Sequence, residues 1–99
     1  MILPAGIKIR ENSPVAWLAA KKLRSKNAAI VLGKTIHISG VGRNDFLSNE
    51  AWVKHELKHV EQFREYGFFH FIILYIMESI RSGYYHNRFE SEARQAEKK

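Results

Sequence analysis

The chain of 99 residues contains no cysteine. Disulfides and Cys-ligated zinc ribbons are therefore excluded, and His and carboxylates are left as the ligands for any transition metal. Acid is scarce in the first half. Residues 1–44 carry eight Lys/Arg against Glu11 alone, a net +7, whereas residues 45–99 sum to −1. A basic half of this kind can attract nucleic acid or anionic lipid. The run Lys21-Lys22-Leu23-Arg24-Ser25-Lys26 reads equally as the solvated end of a helix, where cations suit the dipole. Long hydrophobic runs are missing too. The most apolar window, Phe68 to Met77, is interrupted by His70 and closed by Glu78, and it falls short of the ~20 residues that span a bilayer. A buried helix is expected there. Met1 to Gly6 lacks a charged segment followed by an apolar one, so no signal peptide is read and a cytoplasmic location is expected.

What is present is His55-Glu56-Leu57-Lys58-His59, which reads HExxH. Two histidines four apart stand on one face of a helix, one turn above each other. That spacing lets both imidazoles reach one tetrahedral Zn²⁺, and the intervening glutamate can touch a metal-bound water. No Pro or Gly interrupts residues 48–66, Ser48 can cap the start, and Gly67 stands where a helix ends. Two neutral imidazoles buried side by side would need two separate acceptors, whereas one metal ion satisfies both.

The remaining pattern predicts one domain over residues 1–99 of the α+β class. Ile7 to Arg10 alternates as a short strand. Ser13 and Pro14 start a helix running to about Arg24. Ala28–Leu32 and Thr35–Ser39 read as a hairpin turning at Gly33-Lys34. In the second strand, Ile36 and Ile38 share one face, and Thr35, His37 and Ser39 share the other, from which His37 could line a cleft. Residues 40–45 form a loop. The HExxH helix follows, then a helix from about Phe69 to Arg81, a break at Ser82-Gly83, an irregular stretch Tyr84-Tyr85-His86-Asn87, and a last helix from Arg88 to about Lys98 that Asn87 can cap. An N-terminal helix and a small sheet are thus expected to pack on the HExxH helix, with two more helices after it.

A catalytic zinc takes three protein ligands and keeps one open position. A HExxHxxGxxH site would need Gly and His where this chain has Gln62 and Glu65, so the third ligand must come from another element. In the last helix Phe89, Ala93 and Ala96 form an apolar stripe, flanked by Glu90 and Glu92, either of which could face the cleft.

HELKH followed by a helix opening Phe-Glu-Ser-Glu-Ala resembles the glutamate-type zincins, the gluzincins, and also compact bacterial HExxH domains of unknown function. The resemblance covers roughly residues 35–97. It implies a minimal zincin-like fold with an edge strand beside the active-site helix, to which a peptide substrate could add. It also implies His55 and His59 as ligands, Glu56 as base, Glu90 as third ligand (Glu92 as alternative), and Zn²⁺ as cofactor. Several branches read Glu-x-x-Ala-Asp in the ligand helix, and their Asp orients a ligand histidine. Here Arg94 stands in its place, so either another acceptor such as Glu92 or Asp45 replaces that Asp or the site is weaker than in true peptidases. For the oxyanion, a donor is sought in Tyr84-Tyr85-His86, with Tyr85 taken as the catalytic candidate.

The leading expectation is a zinc metallopeptidase acting on a peptide or protein. Behind it stands a zincin-like zinc-binding module with little or no turnover. Third comes a basic protein that binds nucleic acid or a membrane surface. The sequence fixes neither the oligomeric state nor the substrate.

Overall fold

The computed structural model describes residues 1–99. Its first elements are β1 (Lys8–Arg10), α1 (Pro14–Leu23), β2 (Ala28–Leu32) and β3 (Thr35–Ser39). They are followed by α2 (Arg43–Ser48), α3 (Glu50–Tyr66), α4 (Phe68–His86) and α5 (Arg88–Ala96). The fold is α+β, five helices and a three-stranded sheet, as the alternating and helical periods predict.

The hairpin forms because Gly33 can adopt φ 68° at the turn, setting Leu32 opposite Thr35. β1 then adds to β3 in parallel, Ile9 beside Ile36, giving the order β1-β3-β2. β2 is therefore an edge strand. After β3 the chain turns at Gly40, whose φ is 79° and where an added Cβ would lie 2.1 Å from the Lys26 carbonyl oxygen. Only glycine fits there.

Alternation in β3 sends Ile36 and Ile38 into a core shared with Val31, Phe46, Val53, Val60, Phe63, Phe71 and Phe89. One such cluster joins β2, β3 and the four helices α2 to α5. The opposite face of β3 is covered rather than open. Ser13, the buried cap of α1, sets its Oγ 2.9 Å from His37 Nδ1, and Ser39 is buried as well. Burial, and after it the charge of Arg10, holds the His37 pKa below its ordinary value. His37 stays away from the cleft.

Three local expectations change. Asn49, not Ser48, caps α3, its Oδ1 accepting from the Trp52 N–H, while Ser48 ends the unforeseen short helix α2. Gly83 does break the helical geometry (φ 79°), yet Tyr84–His86 form a further turn rather than an irregular stretch. The third change is larger. α4 was expected inside, and it buries only Phe71. Its Phe69, Ile73, Ile76, Met77 and Ile80 face outward. No helix is long and apolar enough to cross a membrane.

Candidate metal centre

α3 and α5 lie against each other and supply the buried Glu56, His59, Gln62 and Glu90. The start of α5 is fixed by Asn87, which is fully buried. Its Nδ2 donates to the Tyr75 carbonyl and to Ser79 Oγ on α4, and its Oδ1 accepts from the N–H groups of Phe89 and Glu90. That cap pins α5 to α4 and sets Glu90 in the first helical turn, where the helix dipole favours a carboxylate.

Glu90 then meets both histidines of α3. Its Oε1 lies 3.0 Å from His55 Nε2 and 3.3 Å from His59 Nε2. Its Oε2 accepts the Tyr75 hydroxyl hydrogen. The ligand atoms of His55, His59 and Glu90 all fall within 4.8 Å of one another. These three can hold a metal ion. Glu92 points elsewhere, accepting from Gln62 Nε2 at 3.1 Å.

The outer nitrogens decide what the inner ones are. His55 Nδ1 sits 2.7 Å from Glu97 Oε2, an acceptor that requires Nδ1 to carry the hydrogen. His59 Nδ1 sits 2.8 Å from Gln62 Oε1. The Gln62 amide has one workable orientation, because its Nε2 donates to two oxygens, the Phe89 carbonyl and Glu92 Oε1. Its Oε1 must accept, so His59 donates from Nδ1. In the neutral tautomer both Nε2 atoms therefore turn lone pairs toward an ionised carboxylate. Three acceptors converging in a buried site repel unless protons or a cation lie among them.

Protonation shows how strong that demand is. Burial lowers the pKa of His55, but the Glu90 hydrogen bond, the Glu56 charge and the Glu97 hydrogen bond outweigh it and raise the pKa to about 9. His59 is raised by the same kind of contest, with Glu90 again the main opponent of burial. Burial pushes Glu90 up, yet its bonds to both histidines carry it well below the usual carboxylate range. Glu56, 5% exposed, is pushed up by burial to about 7, with the two histidines opposing.

Two cavities meet at this cluster. One, of 290 Å³, runs between α1, β2 and α4 and is apolar apart from the cluster; Leu23, Val31, Ile72 and Ile76 help to wall it. The other, of 430 Å³, opens toward Asn27, Asn49 and Glu97. His55, Glu56, Tyr84 and Ala29 of the edge strand line both. The result is a groove along β2 with the cluster midway. Tyr84 therefore stands in the cleft. Tyr85 does not line either cavity; it is 65% exposed and stacks under the Arg94 guanidinium, which also donates to its carbonyl. Burial, then the charges of Glu90 and Glu56, pushes the Tyr84 hydroxyl up to about 12, so it stays a donor.

Comparison with known proteins finds no matching family, no matching curated protein and no matching solved structure. The functional reading therefore stands on the geometry of the site.

HExxH marked His55, Glu56 and His59, the resemblance added Glu90 with Glu92 as alternative, and the structure brings Glu90, not Glu92, to the two histidines. The motif missed the partners that hold them: Gln62, Tyr75 and Glu97. Gln62 lies at i+3 from His59, and Glu97 at i+7 from Glu90, so each shares a helical face with a member of the cluster. That spacing was the available signal. Arg94 takes no part in the cluster, and the acceptors expected at Glu92 or Asp45 are replaced by Glu97 and Gln62.

Proposed function

We propose that the protein is a minimal zinc-dependent peptidase of gluzincin type, with His55, His59 and Glu90 as ligands and Glu56 as general base. One observation carries the reading: both Nε2 atoms converge on one Glu90 oxygen while both Nδ1 atoms are tied outward. Two imidazoles and a carboxylate with one position left open is the donor set of a catalytic zinc rather than a closed structural site. The outer bonds to Glu97 and Gln62 are the arrangement that orients ligand histidines.

When bound there, zinc supplies a Lewis acid for a peptide carbonyl and lowers the pKa of water toward ~7. The chain does the rest. The free edge of β2 offers unpaired backbone groups to an extended peptide, and a peptide laid along it passes His55, Glu56 and Tyr84. Glu56 takes the proton of the attacking water and returns it to the leaving amine nitrogen. The Tyr84 hydroxyl, in place of Tyr85, donates to the developing oxyanion. The apolar walls of the smaller cavity suit a hydrophobic side chain beside the scissile bond.

The test is elemental analysis of the purified, dialysed protein, followed by a peptide-library screen. About one zinc per chain with cleavage that chelation abolishes is the expected result. One zinc with no cleavage of any peptide would reduce the protein to a zinc-binding module. No zinc after reconstitution would remove the reading altogether.

A further inference from the structure

The outward face of α4 has no polar cover. Phe69, Ile73, Ile76, Met77 and Ile80 fall on a single face about 100° wide, and Phe69 and Ile80 are 78% and 81% exposed. Ile76 belongs to this stripe and also lines the smaller cavity, so the stripe runs into the cavity mouth. Across the mouth, α1 presents Leu23, which lines the cavity while remaining 54% exposed. Two helices thus carry exposed apolar residues on the two lips of one opening. A patch of this kind marks an interaction surface.

Charge says what kind. α1 contains no acid, and Lys21, Lys22, Arg24 and Lys26 lie exposed at its end. On the other flank Lys34 is exposed on the β2–β3 turn, next to Gly33, which faces the Phe68 ring at the start of α4. The one acid of α4, Glu78, is held by Arg81 at 2.7 Å and accepts from the Arg88 N–H. Exposed cations thus stand at the end of α1 and on the β2–β3 turn, with Lys21 lying over the Trp17 ring. A second copy docked through the same face would press like charges together. A bilayer with anionic headgroups matches both features, apolar residues entering the interface and cations meeting phosphate.

We infer that this face seats on an anionic membrane surface, with the mouth of the groove turned toward the headgroups. The docking is a property of α1 and α4 and needs no metal. Its consequence for substrate, that the site takes peptide segments lying at a membrane surface, rests on the peptidase reading.

Co-sedimentation with vesicles of phosphatidylcholine alone, and of phosphatidylcholine mixed with phosphatidylglycerol, tests the docking on metal-free and zinc-loaded protein alike. Binding to the anionic vesicles at least ~10-fold tighter than to the neutral ones is expected, falling with salt. The pair Ile73→Glu/Ile80→Glu should lower that binding ~10-fold, and so should Lys22→Glu/Lys26→Glu. All four positions are exposed, and circular dichroism checks the fold; the milder Ile80→Ser repeats the test in a single site. Three results overturn the inference: no binding to anionic vesicles, binding indifferent to both pairs, or a dimer in sedimentation equilibrium that Ile73→Glu/Ile80→Glu dissociates while vesicles stay bare. Because vesicle binding does not depend on zinc or turnover, failure here and failure of the peptidase reading show up separately.

Discussion

The two helices that follow α3 invert the usual relation between hydropathy and burial. α4 is the most apolar segment of the chain and buries one residue, Phe71, whereas the strongly polar α5 buries Phe89, Glu90 and Ala93 within nine residues. A buried carboxylate is costly unless it is paired and hydrogen-bonded. Glu90 is held by two histidines and a tyrosine, so its burial is what α5 delivers to the core. Apolar positions around it serve that placement. Phe89 packs its ring on Phe71 at 5.0 Å and closes the helix against the core. The difference teaches that α5 is placed by its polar contacts and α4 by only one side of its apolar surface.

The sharpest division is within the buried acids. Glu56→Gln should lower peptide cleavage by ~10³-fold, in the range of a lost general base, while zinc content stays at one per chain. Glu90→Gln should lose the zinc itself. Retained activity in Glu56→Gln would sink the catalytic assignment. The next largest contrast is in stability. Phe89→Ala on α5 should cost ~3–5 kcal/mol, whereas Ile80→Ala on α4 should stay within ~0.5 kcal/mol in denaturant unfolding. An equal cost at both positions would mean that the α4 face is packed after all.

The inversion also explains what was legible in the sequence. Alternation over residues 28–39, the Ser13-Pro14 start and the Asn87 cap are local signals, and each element they mark is present. The HExxH spacing sets two histidines on one face, whereas the Phe89–Ala93 stripe leaves Glu90 and Glu92 both beside it, and only the resemblance to the gluzincins singled out Glu90. Hydropathy alone misplaced α4, because a run such as Phe-Ile-Ile-Leu cannot say whether one side or both will be covered. Gln62 was seen only as a missing glycine of another zincin type, and its amide turns out to fix the His59 tautomer. Tyr75 hid in the apolar run. Its contact with Glu90 exists only once α4 and α5 are brought together, which no period in the sequence encodes.

The outer partners of the histidines provide a smaller contrast. Gln62 is 1% exposed, with its amide wholly committed, while Glu97 sits near the end of α5 with a side chain 36% exposed. Gln62→Ala should weaken zinc binding toward the upper part of the 10–100-fold range for lost outer partners, and Glu97→Ala toward the lower part. Competition with a chromogenic chelator measures both. The reverse order would show that His55, not His59, is the histidine whose orientation limits binding.

The smallest effect is in pH. In the metal-free protein His55 titrates at about 9 against an ordinary 6.5, so its stabilising contribution is complete below 6.5 and is lost as pH rises through 9. His59 is shifted in the same direction. Glu56, raised from 4.5 to about 7, adds a loss of the same sign that sets in above 4.5 and is complete as pH passes 7. Glu90 is lowered, so its contribution is present above 4.5 and is lost as pH falls toward its folded value. Metal-free protein should therefore be most stable near pH 4.5, should decline from there to 7 as Glu56 ionises, and should decline further from 6.5 to 9 as His55 loses its proton. Zinc requires both imidazoles neutral, so protons compete with it and the competition eases over that same upper range. The gap in Tm between zinc-loaded and metal-free protein should widen from pH 6.5 to 9. A gap that stays constant across that interval would mean that the histidines hold no proton that zinc must displace, and the convergence on Glu90 would need another cation to explain it.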